Sequence, residues 1–588
     1  MWRRALVYLL LSFAVTWPLV LSPGSAYLGF ANIDALDTMT LRGLIASTKP
    51  WLAPWTDAVF YPVGYPAMQL TPNLLDHLSG AVLDAVLPFP LSDNVWWWSV
   101  LVLNGLAGHR LGRRLGGSEA SGWLCGGALL LCEPVAREAN LHHAPQAMLF
   151  WVPLYLDALL ALRDNPSWRR GALAGLWLAG AGWSYWYYAL FLSVASLPLL
   201  WGVPLVALAA LAATAALVAA PGLLPWLVMF DDMSITSMSP PDPAKPPASY
   251  AALPDGQQFI TQHGNDPLFW LRSGPIDTAN RVSVALLVAA GLGARRLDRR
   301  LLAGLLGWTA IGGLMVMGPY LRWGDEVALL GGQPISLPFR WLGQLHPFLG
   351  RLTWPERWGI VFSVGLIALA ARAPRPLWFA ALIAAESVWL SGNLPVQVTT
   401  LRHERCWTAL DGASGAILEL PMRRPGLRTP RVGVHRRFHR RPVVNPILLP
   451  PGVEPPEGWQ QWKQEEPLIA YLQTFESGRW PPDPGASAVS SLQAAGISAI
   501  ALDVEPETLL TPGQINRFRA GLGKHFGPPI DLGCALVWWL DASAPPPAAI
   551  DDGEAWRKAA KKWKAAHPEP ELDTLIQPTW DVMVGGLE

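Results

Sequence analysis

Hydrophobic residues in this chain fall into long blocks separated by short polar or arginine-rich breaks, until the sequence turns polar and Pro-rich beyond residue 391. A bilayer-spanning helix needs about 20 mostly apolar residues. The first block, residues 5–21, follows the basic start Met1-Trp2-Arg3-Arg4, which places Arg3 and Arg4 on the cytoplasmic side. Small residues at 22–26 also fit a cleavable signal peptide, but the many later blocks favour an uncleaved first helix.

Further spans are predicted at 95–107, 122–131, 148–162, up to three within 171–230, 282–294, 301–317, 358–371 and 377–390, about eleven in all, with two crossings between Arg170 and Arg295 satisfying the same charge parity as four. The arginine clusters at 110–114, 163–170, 295–300 and 372–375 mark cytoplasmic turns. They leave 133–146 and 231–281 outside, with the N-terminus inside and the C-terminus outside. Residues 74–91 are apolar but interrupted by Asp76, His77, Asp84, Pro88 and Pro90, so an interfacial or re-entrant helix is predicted there. Strand-like runs at 416–420, 497–502 and 534–540, with helical stretches at 466–474 and 514–522, predict a small α/β domain. The fold class is therefore mainly α, a polytopic transmembrane bundle at 1–391 that includes a first external loop at 23–92, followed by an external α/β domain at 392–588.

Composition agrees with a membrane protein: 51% of the residues are hydrophobic, only 15% are charged, and 32 are Trp. The formal net charge of +0 argues against a nucleic-acid partner, which calls for a basic face. Four cysteines are too few for a disulfide framework. Cys125 and Cys132, seven apart, are expected on one helical face in the core, whereas Cys406 and Cys534 could pair if their domain is exported to an oxidising compartment.

The first polar stretch after the first span carries Asp34 and Asp37, three residues apart and so on one face of a helix. Asp57-Ala-Val-Phe-Tyr61-Pro-Val-Gly64 follows. Later come His142-His143-Ala-Pro-Gln146 leading into Trp151-Val-Pro-Leu-Tyr155, then Trp183-Ser-Tyr-Trp-Tyr-Tyr188, and Leu352-Thr-Trp-Pro-Glu-Arg357. In this order and on this side of the membrane, these motifs resemble the GT-C class of membrane glycosyltransferases, in particular bacterial members with an external C-terminal domain. The resemblance implies a bacterial inner-membrane location with that domain in the periplasm. It also implies a polyprenyl-phosphate-linked sugar donor and an envelope glycan, lipid or protein acceptor.

Within that resemblance, the first loop carries the catalytic acid. Glycosyl transfer needs a base for the acceptor hydroxyl, and Asp34 matches the first acid of the pattern. Asp37 would support it, or the two would hold a divalent cation, Mg or Mn, through hard oxygen ligands. The plainer reading is an acidic first turn favoured by the helix dipole. His142 and His143, not separable at this level, together with Gln146, Tyr61, Arg351 and Arg357, are the substrate- and phosphate-binding candidates. Interfacial anchoring, snorkelling arginines and an aromatic belt at 183–188 are the competing explanations, and salt bridging among Glu133, Arg137 and Glu138 is the plainer account of those three. His435 and His439, embedded in arginines, are expected to form a solvated basic patch. Two further functions fit the same membrane frame: a non-enzymatic transporter or flippase of lipid-linked glycans, and a degenerate scaffold in envelope assembly. The scarcity of polar residues inside the predicted spans favours the enzyme.

Overall fold

The structure is a computed structural model that describes residues 2–30, 33–47, 55–66, 73–232, short pieces between 253 and 267, 281–324, 326–345, 349, 352, 354–390, 393–401, 404–422, 429–445, 455–476, 484–504, 512–550 and 553–566. It divides into two compact units. One comprises Met1–Pro23, Pro72–Asp76 and Asn94–Val398, the other Gly24–Thr71, His77–Asp93 and Thr399–Glu588. The first loop, expected to belong with the transmembrane domain, thus groups with the C-terminal region.

The first unit is helical, and every predicted span falls on a helix. These are Trp2–Val15, Leu91–Gly116 (most of it in this unit), Glu119–Leu130, Trp151–Asp164, Trp168–Ser184, Trp186–Ala195, Leu205–Asp232, Val284–Ala294, Arg299–Val316, Gly359–Ala370 and Pro376–Leu390. Among the described residues, Ala144–Asp164 and Leu205–Gly222 are long and apolar enough to cross a membrane by themselves; the other apolar helices are shorter. Ser118, Ser167 and Asp298 start their helices by accepting a backbone N–H three residues on. Helix Trp168–Ser184 lies against Leu205–Asp232 at very short range, because a Cβ at Gly171 or Gly175 would strike the carbonyls of Ala207 and Leu211. Apolar side chains stand out from these helices: Leu205 is 81% exposed, Leu217 76% and Trp389 80%.

Helix Glu119–Leu130 stops before Cys132, which caps the next helix, Glu133–Asn140. Cys125 and Cys132 therefore do not share a helical face as expected; the chain turns between them. Residues 74–84 form an 11-residue helix, Leu74–Asp84, too short to cross a bilayer.

The second unit is built on a four-stranded sheet in the order Ala416–Leu420, Ile497–Asp503, Ala535–Trp539, Ile530–Asp531. The first pair is parallel and the others antiparallel. The first two strands are buried along their whole length, so they read as continuous apolar runs. Alternate residues serve two cores. Leu418, Ile500 and Leu536 pack under helices Pro467–Glu476, Ala486–Ala494 and Pro512–Phe526, while Ile417, Ala499 and Val537 pack against Trp407 and Leu410. A disulfide joins Cys406 to Cys534 on that second face, 128 residues apart in sequence.

Helix Thr429–His439 packs on helix Ile33–Ser47 within this unit. Of the basic patch expected around it, the side chains of His435, Arg436, Arg437 and His439 are buried, while Arg440 is exposed. His435 and His439 have no exposed side-chain surface; His435 Nδ1 lies 2.8 Å from Glu419 Oε2, His439 lies 3.5 Å from Oε1, and Trp407 stacks on the His435 ring. Burial and neighbouring arginines hold His439 well below the usual histidine range. Arg437 donates to Met39 O at 2.6 Å and pairs with Asp84 at 2.6 Å, and Arg436 donates to Ser47 Oγ at 2.5 Å. The burial of the His435, His439, Arg436 and Arg437 side chains is hidden in the sequence because their partners, Glu419, Asp84 and helix Ile33–Ser47, are remote from them or from each other along the chain, whereas Arg440 is exposed as expected.

Candidate functional site

The strongest concentration of buried charge in the first unit lies where helix Glu133–Asn140 ends and the chain reverses into Ala144–Ala147. Pro134 opens the helix at a position where a missing N–H costs nothing. His142, at φ 56°, makes the reversal in a left-handed conformation that non-glycine residues seldom adopt. The turn brings His143 back over the helix, and its N–H donates to Glu138 O at 2.8 Å.

The two histidines part company here. His142 is fully buried, with its ring edge-on to Trp97 at 5.1 Å. His143 faces the charges, with Nδ1 2.6 Å from Glu138 Oε2, while Arg137 Nε donates to Glu138 Oε1 at 3.0 Å. Burial opposes ionisation of Glu138, yet Arg137 and His143 outweigh it and hold the carboxyl at about 2. Arg137 Nη1 is buried with no hydrogen-bond partner among the described residues, and so is Gln146 Oε1. A buried guanidinium N–H left over in this way is a donor for an anion.

Two distant segments complete the cluster. Helix Trp168–Ser184 breaks at Tyr185, whose backbone is extended, before helix Trp186–Ala195 resumes. Tyr185, Tyr187 and Tyr188 are buried, so this run is not the lipid-facing aromatic belt. Tyr188 donates to Gln146 O at 2.6 Å. The turn Pro355–Trp358 supplies Glu356 and Arg357. Arg357 donates to the Tyr185 hydroxyl and lies over the rings of Tyr185, Tyr187 and Trp354 at 5.4, 5.7 and 5.2 Å. Held this way, and with only 15% of its side chain exposed, it does not snorkel toward headgroups. Burial pushes Glu356 up to about 7 against the pull of Arg137 and Arg357.

Glu133 leaves this group and accepts from Asn393, where burial again lifts its carboxyl to about 7. The salt-bridging account therefore holds for Arg137 and Glu138 but not for Glu133. The cluster pairs two guanidinium groups with two carboxyls, one of which titrates near neutrality. Protonation of Glu356 leaves it net cationic, a cradle suited to a phosphate.

Of the predicted site residues, His143, Gln146 and Arg357 are brought together. Asp34 and Asp37 lie on helix Ile33–Ser47 of the second unit, one turn apart near its start; their side chains lie outside the described residues, as does Arg351. Tyr61 is also in the second unit, where its N–H donates to Val443 O at 3.1 Å and its ring packs on the core under the sheet. Sequence reasoning missed Glu138 and Glu356 as site groups, although each is adjacent in sequence to an arginine. Among the described residues no group of three or more His, Cys, Asp or Glu side chains could hold a metal ion.

No family model matches the sequence, and no curated protein matches it. Solved structures do. The mycobacterial arabinofuranosyltransferase AftD is similar over 85% of this chain and 36% of its own, at 18% identity and a TM-score of 0.45. The Archaeoglobus fulgidus oligosaccharyltransferase, determined with Zn and sulfate, is similar over 85% of this chain and 68% of its own, at 12% identity and a TM-score of 0.45. The same organism's oligosaccharyltransferase AglB, in complex with an inhibitory peptide and a dolichol-phosphate, gives 86%, 69%, 13% and 0.42. The chain thus spans about a third of the AftD chain it matches.

Proposed function

We propose that this protein is an integral membrane glycosyltransferase that moves a sugar from a polyprenyl-phosphate-linked donor to an envelope glycan, lipid or protein acceptor on the external face. One observation carries the reading. Three sequence motifs singled out separately, at 142–146, 183–188 and 352–357, converge on one buried cluster in which Arg137 is held by Glu138 and Arg357 by Tyr185.

In this reading Arg357, Arg137 and His143 bind the donor phosphate, and Gln146 presents its amide to the headgroup. Tyr61 and Arg351 are further substrate-binding candidates carried by the resemblance. Asp34 takes the proton of the acceptor hydroxyl as its oxygen bonds to the sugar carbon and the phosphate leaves with the electrons of the broken bond. Asp37 supports that base. A divalent cation held by these two carboxylates would supply charge neutralisation there. The Cys406–Cys534 disulfide supports an oxidising location for the second unit, in keeping with an external face.

The test is Asp34→Asn in protein shown to insert and fold normally, assayed for sugar transfer from membrane lipid donors. Loss of transfer is expected. Full transfer by the variant removes Asp34 as the base, and movement of a lipid-linked glycan across the bilayer with no transfer step favours the flippase.

A further inference from the structure

Between helix Arg299–Val316 and helix Pro338–Leu345 the described chain forms two short hairpins. Arg322–Trp323 pairs with Glu326–Val327, and Leu329–Leu330 pairs with Gln333–Pro334, both antiparallel. Backbone bonds Leu321 N–H to Ile335 O at 3.0 Å, Ala328 N–H to Leu321 O at 2.9 Å and Ile335 N–H to Ala328 O at 3.1 Å tie them into a small meander. Gly331 and Gly332 turn the second hairpin with φ of 60° and 79°, both positive as a two-residue turn of this kind requires. The scaffold is firm, and its tip is apolar.

Hairpin tips in water carry polar residues. This one carries Leu329 and Leu330, 48% and 76% exposed, with no charge between them and Gln333. The first hairpin exposes Trp323 at 60%. Helix Pro338–Leu345, which follows, is apolar on two faces: Phe339 and Leu342 face the helical core, while Trp341 and Leu345, one turn apart, are 54% and 75% exposed. Arg340 and Gln344 are the polar residues of this helix, and Arg340 is turned back onto Ser336 Oγ at 2.7 Å, so Trp341 and Leu345 are left as apolar side chains in the open.

We propose that Trp323, Leu329, Leu330, Trp341 and Leu345 form a wedge that inserts into the lipid headgroup layer beside the bundle. The occupant is the bilayer because the patch follows in the chain on a helix whose exposed positions past its first turn are apolar, among them Leu306 at 48% and Leu314 at 41%. It begins seven residues after the end of helix Arg299–Val316, whose final turn already exposes Leu314. Two tryptophans are the residues that favour the membrane–water interface. The inference does not depend on the glycosyl-transfer reading, since any protein with this bundle would carry the wedge.

The test is Leu330→Cys in the full-length protein, labelled with an environment-sensitive fluorophore and reconstituted into phosphatidylethanolamine and phosphatidylglycerol vesicles, with labelled wild-type protein as background. An apolar surface at an interface lies about 5–10 Å into the headgroup and acyl boundary, so lipids brominated near the top of the acyl chain should quench the label about twofold or more. Adding Leu329→Asp beside Leu330→Cys should return the label to a water-like, unquenched emission. Water-like emission from the single variant in vesicles overturns the proposal. Unquenched emission with position-330 cross-links between copies overturns it in favour of a second copy of this chain.

Discussion

Glu138 and His143 are joined at 2.6 Å across the turn that ends helix Glu133–Asn140, while the adjacent His142 points away into the core against Trp97. Adjacent histidines therefore sit in different environments. His143→Ala should weaken donor binding about tenfold, the loss of one hydrogen bond to a charged group, and also lower stability, because the buried Glu138 loses one of its two partners. His142→Ala should lower stability by about 1–3 kcal/mol through a cavity beside Trp97 and leave donor binding unchanged. Donor binding and thermal unfolding measured on both variants separate the two, and equal effects on donor binding would refute the division.

Three carboxyls set opposite pH dependences in the first unit. Glu138, held at about 2 against an ordinary 4.5, stabilises the fold above pH 4.5 and loses that contribution as pH falls toward 2. Glu133 and Glu356, raised to about 7 by burial, are favoured protonated in the folded state, so stability falls as pH rises from 4.5 to 7. Thermal unfolding of the purified protein should show both limbs. Glu133→Gln should flatten the neutral limb and leave the acidic one, and an unchanged neutral slope would count against Glu133.

In the second unit the buried Glu419 is the acceptor that keeps His435 on helix Thr429–His439 satisfied. Glu419→Ala should cost about 1–3 kcal/mol, the penalty for a buried polar group left without its partner. Because that helix holds helix Ile33–Ser47 through Arg436 and Arg437, amide exchange in residues 33–47 should accelerate in the variant. Protection unchanged there would show the two helices to be held independently.

The Cys406–Cys534 bridge closes 128 residues of chain. Removing it with Cys406→Ser and Cys534→Ser should destabilise the second unit by about 2–5 kcal/mol, mainly by freeing the unfolded chain. Non-reducing electrophoresis checks the bond and denaturant unfolding checks its size; free thiols at both positions in protein isolated under thiol-blocking conditions would contradict the pairing.

The helices of the bundle and the strands of the sheet were legible because each depends on local runs. Strand Ala416–Leu420 falls on the predicted residues, and helix Pro512–Phe526 differs from its prediction only at the ends. What depended on remote partners was not legible. Nothing near His435 in sequence announces Glu419, and nothing near Arg357 announces Tyr185. The run at 183–188 resembles an interfacial belt until the helix break at Tyr185 turns it inward. The grouping of the first loop with residues 399–588 likewise rests on contacts between segments more than 300 residues apart.

The cluster around Arg357 is proposed to bind a lipid-linked phosphate. Binding of polyprenyl phosphate to the purified full-length protein in nanodiscs, wild type against Arg357→Gln, tests it most directly. Loss of a charge-assisted contact of about 1.5–3 kcal/mol should weaken binding about tenfold to a hundredfold. Wild-type binding should also strengthen below pH 7, as protonation of Glu356 leaves the cluster cationic. Equal affinity for the two proteins across that pH range would contradict the assignment.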